Sequence, residues 1–106
     1  MDYQPRAVIV GAGPNGLTAA ARLAMAGWSV DIYERAGRPG GAAASSAEIF
    51  PGTIVDLGAA GHPFGVASPA FHALDLESHG LRWLNASYPM AHPLEGAPAG
   101  ILQSSL

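Results

Sequence analysis

The 106-residue chain has no cysteine and no lysine. Without cysteine it has no disulfide framework, no thiolate metal site and no thiol nucleophile, which excludes dithiol redox chemistry from these residues. All five cations are arginines (Arg6, Arg22, Arg35, Arg38 and Arg82), and eight acids outweigh them to a net charge of −3. Scattered arginines without a basic cluster argue against nucleic acid as the partner. Charge is scarce overall, at 12% of residues, while 49% are hydrophobic, too apolar for an intrinsically disordered chain. Long apolar runs are missing too. Gly11, Gly13, Pro14, Asn15 and Gly16 interrupt the apolar start, and Asp2 offsets Arg6, so neither a signal peptide nor a span of ~18 apolar residues is present. The expectation is a soluble cytoplasmic chain without an integral membrane segment, peripheral membrane contact remaining open.

The order begins with Ala7-Val8-Ile9-Val10, a β-branched run that reads as a strand buried on both faces. Leu17, Ala20, Ala21 and Ala24 follow at helical spacing, and Gly27 supplies a stop. Trp28 to Glu34 alternates as a second strand. Strand, helix and strand in this span make a βαβ unit with parallel strands. Arg35 to Ser46 reads as loop and then, from its alanines, a short helix. Pro51-Gly52 marks a turn before the β-prone Thr53-Ile54-Val55. Ser68, Pro69 and Gly80 bracket a second helix over about 69–79, and Leu81 to Leu84 fits a short strand. Prolines 89, 93 and 98 leave the remainder without an assigned element.

Gly11-Ala12-Gly13-Pro14-Asn15-Gly16 is G-x-G-x-x-G, placed where a strand ends and a helix begins. Gly11 permits the turn, Gly13 lets backbone approach a pyrophosphate, and Gly16 lets helix and strand pack closely. The helix N-terminus then offers N–H groups and a positive dipole end to phosphate. Glu34, 18 residues past Gly16, stands where a carboxylate accepts from ribose hydroxyls. An anionic Glu34 disfavours a 2′-phosphate, an argument that Arg35 beside it weakens, and it does not separate NAD from FAD. Two other readings compete: a tight turn with no ligand, and a nucleoside triphosphate loop. The second fails because Leu17 occupies the lysine position.

The spacing of Gly11 to Gly16, Ala20, Leu23, Gly27, Val30 and Glu34, followed by Arg38-Pro39-Gly40-Gly41, resembles the start of FAD-dependent amine oxidases and phytoene desaturases. Asp56-Leu57-Gly58, His62-Pro63, Ser68-Pro69, His79 to Trp83 and Ala91 to Leu94 are similar to the phytoene dehydrogenase-like branch. The resemblance implies a partial Rossmann-type α/β domain that binds FAD. It implies a βαβ unit with its glycine pair over 1–46 and an incomplete continuation over 47–106. The complete enzymes run to several hundred residues. The cofactor-binding set becomes Gly11, Gly13, Pro14, Asn15, Gly16, Glu34, Arg35, Arg38, Gly40 and Gly41. Flavin in those families accepts hydride equivalents from a small organic substrate. Ala42 stands where the family often carries arginine, which removes one pyrophosphate partner. No residue is an evident acid, base or nucleophile. An NAD-dependent dehydrogenase domain and an inactive nucleotide-binding module are the alternatives.

The four histidines (62, 72, 79 and 92) lack metal-ligand spacing. His72 and His79 would share a face of the second helix, and the resemblance places His62 near the flavin. Asp56 is expected to hold its loop by accepting backbone N–H bonds.

Overall fold

In the computed structural model, which describes residues 4–103, β1 (Arg6–Val10) and β2 (Ser29–Tyr33) pair in parallel around α1 (Pro14–Met25). The register sets Val10 opposite Tyr33, and the Gly11 N–H extends the ladder by donating to the Tyr33 carbonyl at 2.7 Å. The start of the glycine loop is thereby fixed beside the end of β2. Gly27 stops the helix by the route its position implies. Its N–H donates to Ala24 O (2.9 Å) and that of Trp28 to Leu23 O (3.1 Å), the paired bonds of a glycine C-cap. Arg6 reaches Asp31 across the two strands at 2.7 Å. Both side chains are solvated, so the pair adds little.

A 3₁₀ turn (Gly41–Ala43) leads into β3 (Ser45–Phe50), which pairs antiparallel with β4 (Thr53–Asp56) across the Pro51-Gly52 turn. The alanine-rich stretch thus yields one tight turn and then a strand, where its composition pointed to a helix. Ala44 is already extended, and its carbonyl accepts from Leu57 N–H at 2.9 Å. Strand pairing overrides alanine's helix propensity here.

The second helix is shorter than its caps predict. Ser68 does cap α2 (Pro69–Ala73), its hydroxyl accepting from Phe71 N–H at 3.4 Å. Asp75 then takes φ +48°, and a residue in that left-handed region ends the helix. His72 and His79 therefore share no helix, and Leu81–Leu84 forms no strand. The proline-rich end, which carried no expectation, folds into a hairpin of β5 (Met90–Leu94) and β6 (Ala97–Leu102) around Glu95-Gly96. Pro93 falls at the register shift between His92 and Leu94. Among the described residues β5 and β6 pair only with each other, which leaves each an edge where proline is tolerated.

The chain divides into two units, Met1–Leu76 and Glu77–Leu106. Burial in the first is slight. Ala12 (4% exposed) and Ala20 (6%) are the buried apolar residues among those described, whereas Val8 is 60% and Val10 86% exposed. β1 was expected to be buried on both faces, but its residues alternate between exposed and half-buried, and among the described residues it pairs only with β2. No helix among them is long and apolar enough to cross a membrane.

Candidate functional site: the glycine loop and its acid

The glycine loop is held at Ala12. Its N–H donates to Glu34 Oε2 (2.6 Å), and its carbonyl accepts from Gly40 N–H (2.8 Å). One buried residue thus joins the G-x-G-x-x-G turn, the end of β2 and the Gly40-Gly41 loop. Glu34 Oε1 accepts in addition from Ala36 N–H at 2.8 Å. The Ala36 and Ala12 donors hold the Glu34 carboxyl below its ordinary pKa. Each oxygen carries one such bond and keeps a further lone pair for another donor. The side chain is exposed and open to a ligand.

Three glycines are required by contact: Gly16, Gly41, and Gly40, where at φ +128° a Cβ would stand 2.9 Å from Ala44 Cβ. A Cβ on Gly16 would run into the Gly11 carbonyl oxygen, so the first turn of α1 lies directly on the loop. Gly41, at φ +55°, brings its Cα so near the glycine loop that a Cβ there would stand 2.9 Å from Gly13 Cα. A Cβ on Gly13 itself would meet only Gly41, at an ordinary 3.9 Å. The contacts within the fold therefore do not demand glycine at 13.

α1 begins without a side-chain cap. Gly13 is the extended N-cap, Pro14 occupies the first turn, and no acid lies in that turn. Its positive end therefore meets no capping side chain and no acid of its own first turn. The Thr18 hydroxyl donates to Pro14 O at 2.7 Å, so it is turned back on its own helix. With Leu17 beside it, nothing here serves the metal and β/γ-phosphates of a triphosphate.

The structure brings together Gly11, Gly13, Pro14, Asn15, Gly16, Glu34, Gly40 and Gly41. Arg35 and Arg38 lie exposed on the connecting loop and, among the described residues, form no salt bridge. Asp56 does anchor its segment, but its carboxylate accepts from the Ser45 hydroxyl (2.7 Å), not from a backbone N–H. Ala12 and Ala36 escaped the sequence reading because their contribution is backbone alone. His62 and Asn15 share the lining of an open cleft beside α1.

A parallel βαβ unit, a glycine-rich turn at an uncapped helix start and an acid at the end of the second strand define a dinucleotide-binding fold. Residues 9–90 match the NAD(P)-binding Rossmann-like domain family, and the chain belongs to that family. It is also similar to glutamate synthase [NADH] of Schizosaccharomyces pombe, with 61% identity over 36 residues. That match covers 34% of this chain and 2% of the length of the relative. No solved structure matches the chain.

Proposed function

We propose that the chain binds FAD as the dinucleotide-binding part of an oxidoreductase resembling the phytoene dehydrogenase-like enzymes. The observation that carries this reading is the docking of Gly40-Gly41 on the glycine loop, through the Gly40–Ala12 hydrogen bond and the close approach of Gly41 to Gly13. It places a second stretch of side-chain-free backbone beside the phosphate loop, which a simple NAD fold does not require. In this reading Gly11, Gly13, Pro14, Asn15 and Gly16 cradle the pyrophosphate. Glu34 accepts from the adenosine ribose, and Arg35, Arg38, Gly40 and Gly41 flank the phosphates. When bound, the flavin supplies hydride acceptance from a small organic substrate, while the chain's own residues bind and orient it.

An NAD site is the second reading. The family's description and the NADH in the relative's name both favour it. Titration by flavin fluorescence, with NAD⁺ as competitor, separates the two. Tighter binding of FAD than of NAD⁺ is expected; the reverse order favours the second reading, and binding of neither overturns both.

A further inference from the structure

An open cleft of about 570 Å³ lies between α1 and the segment 61–71. Its volume falls within the range of small-molecule sites, roughly 300–1,000 Å³. Asn15, Thr18, Ala19 and Arg22 recur at helical spacing and form one wall. Phe64 and Phe71 are among the residues opposite. The lining is mainly apolar, with few polar groups. The Thr18 hydroxyl is committed to Pro14 O. Arg22 is the one charged residue in the lining and, among the described residues, has no salt-bridge partner. A guanidinium at the side of an apolar cleft matches a carboxylate through two parallel hydrogen bonds.

We propose that this cleft binds an organic carboxylate with a flat apolar body. Arg22 holds the carboxylate, His62 offers a second polar contact, and Phe64 and Phe71 pack on the body. Asn15 belongs both to the glycine loop and to the cleft wall, so the bound acid lies next to the dinucleotide site. Its role as the substrate of that site rests on the dinucleotide reading; the binding itself does not.

The test is an amide NMR titration of the full chain with naphthoate, with uncharged naphthamide as comparison. Naphthoate is expected to shift the resonances of Thr18, Arg22, His62 and Phe71. Arg22→Gln, an exposed helical position, should weaken it about tenfold or more, and naphthamide should bind about as weakly as naphthoate does to that variant. Glu34→Ala should leave naphthoate affinity unchanged while lowering that for FAD. Naphthoate bound at the cleft beside unaltered FAD affinity in Glu34→Ala would count against the dinucleotide reading alone. Equal affinity in Arg22→Gln, naphthamide as tight as naphthoate, shifts located elsewhere, or no binding at millimolar naphthoate would each overturn the carboxylate site.

Discussion

At the scale of single residues, Glu34 ties the glycine loop to β2 through Ala12, and in the proposed site its remaining lone pairs accept from a ribose. Its pKa lies below the ordinary value of 4.5 because the Ala36 and Ala12 N–H groups favour the charged form. A carboxyl depressed on folding stabilises the structure above its unfolded pKa, and that contribution disappears as pH falls through the folded value. Acidification below about pH 4.5 should therefore loosen the loop. The Ala12 amide resonance should titrate with Glu34 and stay flat in Glu34→Gln; an Ala12 amide indifferent to pH would contradict the tie. Gly16 is the strictest steric position of the motif, since its Cβ would strike the Gly11 backbone. Gly16→Ala should destabilise the βαβ unit by about 1–3 kcal/mol, the usual cost of overpacking, read as lost helical circular dichroism on mild denaturation.

Among elements, legibility followed periodicity and punctuation. β1, α1 and β2 announce themselves by a β-branched run, a helical stripe and an alternating run, with Gly27 closing the helix. The acid's position at the end of β2 was equally plain, because parallel pairing brings Tyr33 and Gly11 together. What was not legible depended on partners. Ala44 is extended because Leu57 bonds to it, and α2 ends early because Asp75 turns left-handed. The β5–β6 hairpin was hidden by Pro93 and Pro98, although Glu95-Gly96 between apolar residues is a turn signal. Two-stranded hairpins are weak in isolation, so β5–β6 amides should exchange with solvent faster than those of α1. In the proposed FAD site the Gly40-Gly41 loop matters more. Gly41→Ala should push it off Gly13 and weaken FAD about tenfold with the βαβ circular dichroism retained. Gly37→Ala, which meets nothing within 4 Å, is the matched control. Equal affinities in the two variants would show that the docked loop takes no part in binding.

For the whole molecule, the central fact is how little apolar surface the first unit encloses. Ala12 and Ala20 are small, while Val8 and Val10 stand open on a strand with one partner among the described residues. An apolar strand with an unpaired edge is a template for association, and lysine, a common protection for such edges, is absent. The 106-residue chain alone should self-associate and unfold with poor cooperativity; a monomer by sedimentation with one sharp transition would contradict this. The same openness makes added ligand a source of order, since whatever binds only the folded form stabilises it. The claim on which the rest depends is that Glu34 and the glycine loop form one dinucleotide site. Fluorescence titration of FAD against the wild-type chain and Glu34→Ala tests it most directly. The account predicts saturable binding that weakens about tenfold or more in the variant, with unchanged far-ultraviolet circular dichroism. Equal dissociation constants for the two proteins would contradict it.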